Sequence, residues 1–345
     1  MTRTPRAGLP AARSFLLLLF ALLLATPAAA SSGGQNPGAN APNPLIGQTW
    51  WDQNTEWNQT WNAYRSLKRR GRDADAAKVL LLAQAPQFKW FGMWEHPVVG
   101  KLRGMFEAAG ESVPLLAVFG DEHNGCGGGF NTSGGLAQNA RYRRWIDQVA
   151  RGIGTSEVVI AFEPDSLGLI ECLAPHLRRP RLQALGYGVK VLSKLPNATV
   201  YVEAGAPDWQ SVPAMARKLR AVGVSRVRGF MLNVTHHVTT ANNIRYGVKL
   251  SRALGGKHFI INTSHNGNGP LYSNGHTIWC NPPNAAAGAL PTTDTAHEKV
   301  DAYMWVERPG FSNGACNGGP AKVGAWWEKR AIQMVERAKW YRARR

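Results

Sequence analysis

Beyond residue 30 the sequence has no apolar run near the roughly 20 residues that a membrane-spanning helix needs, so no anchor is expected in the body of the chain. Acidic residues are scarce: 22 Asp and Glu stand against 40 Lys and Arg, for a formal charge of +18. Cysteines are few. The four present, Cys126, Cys172, Cys280 and Cys316, are spaced like no zinc motif. No strand-like segment is followed by a Gly-x-Gly-x-x-Gly turn, which counts against a nucleotide-binding sheet. The histidine spacing calls for no ligand either, so neither a metal nor an organic cofactor is expected.

The first residues differ in composition from the rest. Arg3, Arg6 and Arg13 form a positive segment, Phe15 to Leu24 is almost wholly apolar, and Ala28-Ala29-Ala30 suits cleavage. That pattern predicts a signal peptide over residues 1–30 and a mature protein outside the cytoplasm. Residues 31–42, in a stretch rich in Ser, Gly, Asn and Pro, read as a flexible leader, and residues 43–345 as the folded body. Taking three arginines away with residues 1–30 lowers the charge from +18 to +15. Part of the excess gathers at Lys329, Arg330, Arg337, Lys339, Arg342, Arg344 and Arg345. Nucleic acid is not the expected partner of an exported chain. An anionic envelope polymer fits the compartment better, and a merely solvated helix face accounts for the charge equally well. An even cysteine count in such a chain favours two disulfides. Three connectivities are possible, and the most local, Cys126–Cys172 with Cys280–Cys316, would staple two long loops.

A regular alternation follows the leader. Apolar, β-prone runs at Val79–Ala83, Pro114–Phe119, Val158–Phe162, Thr199–Val202, Gly229–Leu232, His258–Ile261 and Ala302–Val306 read as buried parallel strands. Amphipathic helices are predicted between them at Val98–Ala109, Ala140–Gly152, Arg181–Leu195, Val212–Val222 and Ala241–Leu254. Strand and helix in turn mean an α/β fold with a parallel sheet, closed or nearly closed as a barrel, or else open and doubly wound. Polar groups cluster at the strand ends: Glu163 and Asp165, Glu203, Asn233, Asn262, Glu307. In parallel β/α folds those ends carry the site.

Glu163-Pro164-Asp165 is the sharpest of these features. Pro164 should hold Glu163 extended and fix the direction of exit; both carboxylates emerge where the chain leaves the core, and the proline turn splits their roles. A carboxyl partly desolvated there has its pKa raised, as a general acid requires. Trp50, Trp51, Trp90, Trp94, Trp209, Trp279 and Trp305 are placed in loops or at strand ends. Trp305 reads as core. Trp90, Trp209 and Trp279, beside Gly, Pro, Asn and Asp, read as platforms for the apolar C–H face of a sugar ring.

These segments together resemble glycoside hydrolase family 6, the inverting cellobiohydrolases and endoglucanases of β-1,4-glucan. The motifs run from Asn43-Pro44-Leu45 through Ile160–Leu167, Tyr201–Gly205, Asn262–Pro270 and Trp279–Pro282 to Trp305-Val306 and Pro309-Gly310. The resemblance implies a distorted seven-stranded parallel β/α barrel in a single domain, a monomer, and two disulfides at Cys126–Cys172 and Cys280–Cys316. It implies Asp165 as proton donor, Ser133 as the serine that helps hold the hydrolytic water, Trp90, Trp209 and Trp279 as sugar platforms, and Asn233 as a hydrogen-bonding residue.

Several positions depart from the family pattern. The usual Arg-Asp-Cys is His123-Asn124-Gly125-Cys126, and the usual tyrosine before it is Phe119. The closing motif keeps Trp305-Val306 but has Glu307 for lysine, Phe311 for glutamate and Asn313 for the aspartate proposed as base. An amide cannot take that proton. Glu203 replaces an aspartate and keeps its charge. Asp121 and Glu122, in the loop that lost its aspartate, are the first substitutes for the base, with Glu307 as another. Glu203, Glu307 and Asn313 are expected to meet substrate. The expected function is a secreted glucanase, free or associated with the envelope, cleaving a cellulose-like or modified β-linked polysaccharide. The alternative is a non-catalytic or weakly active glycan-binding protein of the cell envelope.

Overall fold

The computed structural model describes residues 1–2, 36, 38, 40–120 and 136–344. By its contacts the chain divides after Ser32, and Gly33 onward forms one unit. Seven parallel strands make its sheet: β1 (Lys89–Gly92), β2 (Leu115–Phe119), β3 (Val158–Phe162), β4 (Ala198–Glu203), β5 (Gly229–Leu232), β6 (His258–Asn262) and, after the small hairpin β7 (Tyr272–Ser273) and β8 (His276–Thr277), β9 (Val300–Met304). They lie side by side in chain order, the hairpin apart. The sheet curls into a part-closed barrel, and the two edge strands touch through a parallel bridge between Gln87 and Trp305.

Helices α1 (Gln59–Arg69) and α2 (Asp73–Ala83) precede the sheet; α3 (Val98–Ala109), α4 (Leu136–Ile153), α5 (Pro175–Leu192), α6 (Val212–Val222) and α7 (Thr240–Ala253) connect successive strands; α8 (Glu328–Arg337) and α9 (Lys339–Arg342) follow. Local chemistry sets their starts. Asn58 accepts the Thr60 and Trp61 amides ahead of α1, and Ser211 caps α6 just before Pro213 in its first turn. The α6 helix stops at Gly223, whose φ of 83° suits glycine best.

Strand residues are apolar on both faces because both faces are covered. Val159 and Ala161 of β3 point into the barrel with Leu115, Ala117, Met231, Ile260 and Ala302. Val158, Ile160 and Phe162 pack outward against the helices. This arrangement explains the consecutive apolar runs, since neither side meets water. The first expected strand is a correction: Val79–Ala83 belongs to α2, and β1 begins ten residues later at Lys89. A five-residue apolar run has no period that separates a buried helix from a strand. Here Val79 and Leu82 turn toward neighbouring helical residues.

The barrel's lower end is closed by a charged network. Arg228 donates twice to Asp301 (2.8 Å each), Tyr201 Oη donates to the same carboxylate at 2.6 Å, and His258 stands 2.9 Å from it. Part of the expected leader joins this floor. Asn36 bonds the Ala198 carbonyl and the Val200 and Arg228 amides, and Ala41 accepts from Arg228. These positions are held on the barrel, not free as their composition suggested.

Candidate active site

The upper ends of the strands bring the polar residues together. Asn233 and Asn262 tie three of those ends. Asn233 Nδ2 donates to the Asn262 carbonyl and Asn262 Nδ2 donates back to the Asn233 carbonyl, both at 3.0 Å. Asn262 Oδ1 then accepts from the Val306 (2.9 Å) and Glu307 (3.2 Å) amides just past β9. Both asparagines are fully buried. The Asn233 amide, expected to meet substrate, is thus engaged inside the protein, its oxygen on the Val238 amide.

Glu163 and Asp165 separate at once. Both have positive φ, 53° and 67°, so the extended exit expected at Glu163 is not what forms. The Glu163 carboxylate turns inward and accepts from Gly120 N (2.9 Å), Tyr142 Oη (2.8 Å) and Ser166 Oγ (3.2 Å). Those bonds outweigh the extended preference imposed by Pro164. Asp165 is half-buried at the mouth, where Thr235 Oγ1 donates to its Oδ1 at 2.7 Å. Burial raises its pKa, and the Thr235 bond and the charge of His236 work against that rise.

Two further carboxylates share this environment. Glu203 is 1% exposed and accepts backbone amides from Leu167 (3.0 Å), Gly168 (3.1 Å) and Gly205. Burial and the Asp165 charge push it up to about 8, against three donors that favour its ionised form. Among the described residues Glu307 accepts the amide of Arg308, at 3.2 Å, and no other donor. Burial lifts it to about 7; the Arg308 charge and amide oppose this, and the Asp165 charge adds to it. The Asp165 charge is thus felt by both Glu203 and Glu307.

Aromatic residues border the carboxylates. Trp90 lies within β1 and donates its Nε1 to the Val306 carbonyl (2.9 Å), with its ring 5.4 Å from Phe119. Trp209 stacks on the His236 imidazole and packs over Gly168, where a Cβ would stand 2.2 Å from the indole. Trp279 is 41% exposed, and its carbonyl is held by His237 Nε2. Trp305 is fully buried.

The changed positions have settled surroundings. Phe311 is buried edge-on to Trp326 and carries the Arg308 guanidinium 3.9 Å from its ring centre. Asn313 is half-buried, with its amide N–H bonded to Asn281 Oδ1 (2.9 Å), near the Cys280–Cys316 disulfide. Asp121, Glu122, Cys126 and Ser133 lie outside the described residues, and so does the Cys126 half of the other expected bridge. The sequence reading passed over Thr235, His236, Asp208 and the buried pair His237 and His265. Thr235–His237 begins two residues after Asn233, just past β5, and that position was the available signal.

Residues 46–338 match the family described as Glycosyl hydrolases family 6. The chain belongs to that family. Endoglucanase A of Cellulomonas fimi is 37% identical over 305 residues, an alignment taking in 87% of this chain and 63% of that protein. Endoglucanase 1 of Streptomyces halstedii is 33% identical over 74% of this chain and 79% of its own length. Among solved structures, the endoglucanase Cel6 of Mycobacterium tuberculosis, in complex with methyl-cellobiosyl-4-deoxy-4-thio-β-D-cellobioside, superposes with a TM-score of 0.77 at 38% identity. That match covers 86% of this chain and 99% of the other. Family 6 membership accounts for the seven-stranded curled sheet.

Proposed function

We propose that the protein hydrolyses β-1,4-linked glucan with inversion, through a family 6 site whose base has moved. Relatives named as endoglucanases, and one bound to a thio-linked cellobioside, support the substrate class. The observation that carries the mechanism is the placement of Asp165 and Glu307, each three residues past its strand, β3 and β9, at the same end of the parallel sheet, with burial raising both carboxyls.

Asp165 protonates the departing glycosidic oxygen. Glu307 replaces the missing aspartate at Asn313 as base, drawing a proton from the water that attacks the opposite face of the sugar. Glu203 is fully engaged by backbone amides and serves to hold the β3 exit. Glu307 has one acceptor oxygen clear of any protein donor among the described residues. A base poised near 7 suits proton removal at neutral pH. Trp90, Trp209 and Trp279 seat the sugar rings. The positive segment and apolar run before Ala30 support export, and the charged C-terminal residues support residence near an anionic envelope. No helix among the described residues is long and apolar enough to cross a membrane.

The test is reducing-end release from soluble β-1,4-glucan. Wild type should be active. Asp165→Asn and Glu307→Gln should each lose about 10²–10⁴-fold in kcat/KM. Loss in Asp165→Asn alone would return the base role to the Asp121–Glu122 loop. No release by wild type, with glucan binding kept, would make the protein a glycan binder.

A further inference from the structure

The turn that follows Glu307 carries a cation for which the protein supplies no counter-charge. In Arg308-Pro309-Gly310-Phe311 the Phe311 N–H donates to the Arg308 carbonyl at 3.3 Å, and Gly310 has a φ of 86°, the left-handed value that the third position of a type II turn requires. A Cβ on Gly310 would stand 2.4 Å from that of Ala331, so the turn is pressed against α8. The side chains of its two end residues meet. The Arg308 guanidinium lies 3.9 Å from the Phe311 ring centre, and Phe311 is braced edge-on by Trp326 at 5.3 Å.

Arg308 is half-buried, and its Nε is buried with no hydrogen-bond partner. No acceptor among the described residues meets its two terminal nitrogens. Glu307 does not serve: its Oε2 accepts the Arg308 main-chain N–H at 3.2 Å, not the guanidinium. Position 311, where the family pattern has glutamate, offers an aromatic face that attracts the cation but accepts none of its N–H groups. Lys89, on the neighbouring strand β1, is matched by Glu95 at 3.6 Å. Stripping water from a guanidinium without replacing its acceptors is unfavourable, and burial here works against the charged form. An anionic acceptor on the terminal nitrogens offsets that cost.

We infer that Arg308 is a specificity-determining residue that takes a carboxylate carried by the sugar chain, so that the site prefers an acidic β-1,4-glucan, with uronic acid units or carboxyl substituents, over the neutral polymer. The inference rests on the β-1,4-glucan reading and narrows its substrate class. Arg308 comes one residue after Glu307, at the end of the sheet where Asp165 also leaves its strand. It is two residues past the Val306 carbonyl that receives the Trp90 indole N–H at 2.9 Å, so a sugar ring seated on Trp90 would lie beside this turn. The planar fork of a guanidinium matches a carboxylate through two parallel hydrogen bonds. One cation beside the Glu307 carboxyl suits a singly charged group better than a doubly charged phosphate.

Binding is read by calorimetry on Asp165→Asn protein, so that no turnover intervenes, with two probes: cellotetraose and the same β-1,4 tetramer oxidised to carboxylates at C6. The acidic tetramer should bind about tenfold more tightly, within the range for hydrogen bonds to a charged group. Arg308→Met in that protein should bring the two affinities together, chiefly by weakening the acidic tetramer. Phe311→Glu keeps Arg308 but sets a carboxylate of the protein across the turn, and should erase the preference in the same way, even where the Met variant fails to fold. Equal affinities before either substitution, or an equal loss for both tetramers in Arg308→Met, as a structural role would give, overturns the inference. A preference that persists in both variants belongs to the overall positive charge and overturns it as well. A preference abolished by both variants, with no reducing-end release by wild type from carboxymethyl- or hydroxyethyl-substituted cellulose, would uphold the Arg308 site and sink the hydrolase reading instead.

Discussion

Glu163 and Asp165 stand two residues apart and meet opposite surroundings. Glu163 is 1% exposed and ringed by donors from Gly120, Tyr142 and Ser166. Asp165 has one hydroxyl donor and a pKa raised by burial. Glu163→Gln turns an amide NH2 toward groups that themselves donate, and should lower unfolding stability by about 1–3 kcal/mol in urea titration. Asp165→Asn removes a poorly solvated charge and should leave stability within about 1 kcal/mol while removing activity. Sequence located this pair correctly by the end of a buried strand. It read both as emerging where the chain leaves the core, with roles split by the proline turn; it did not show Glu163 turning inward, because the donors that hold it come from residues up to 43 positions away.

At the scale of elements, two asparagines tie the ends of three strands, β5, β6 and β9. Asn262 alone accepts two amides beyond β9 and donates to two carbonyls beyond β5. Asn262→Leu would strand those four groups, costing about 2–5 kcal/mol in stability. Glu307 should move with its released amide, so kcat should fall even at saturating substrate, which steady-state kinetics on the folded variant would show. The strand-end pattern in the sequence pointed to these asparagines as site residues but not to their use as clamps, because reciprocal bonding between strands carries no local signature. The same limit explains α2. Val79–Ala83 is apolar enough for either element, and only its packing against α1 and α8 decides.

For the whole molecule, the floor and the mouth of the barrel respond to pH in opposite senses. Burial alone would raise the Asp301 carboxyl, but the bonds from Arg228 and His258 bring it below its usual value. A depressed carboxyl contributes stability above its unfolded pKa of 3.8 and loses it as pH falls through the folded value. Thermal unfolding should therefore worsen steeply below about pH 4. In Asp301→Asn that acid dependence should flatten, with stability lower by about 3–5 kcal/mol at neutral pH because Arg228 is left buried without its counter-charge. Glu203 and Glu307 have raised values, so their contribution is complete below the ordinary carboxylate range and fades as pH rises toward about 8 and about 7, respectively.

The barrel itself was legible in the spacing of apolar runs, since a parallel strand covered on both sides must be apolar throughout. The floor was not, because its partners Asn36, Arg228 and Asp301 are spread across most of the chain. The central claim is that Asp165 and Glu307 work as an inverting pair. NMR of the first products from a β-1,4-linked glucose oligomer tests it most directly. The account predicts that wild type releases the α-anomer first, before mutarotation, and that Glu307→Gln releases little of either. First release of the β-anomer, or unchanged α-anomer release by Glu307→Gln, would contradict it.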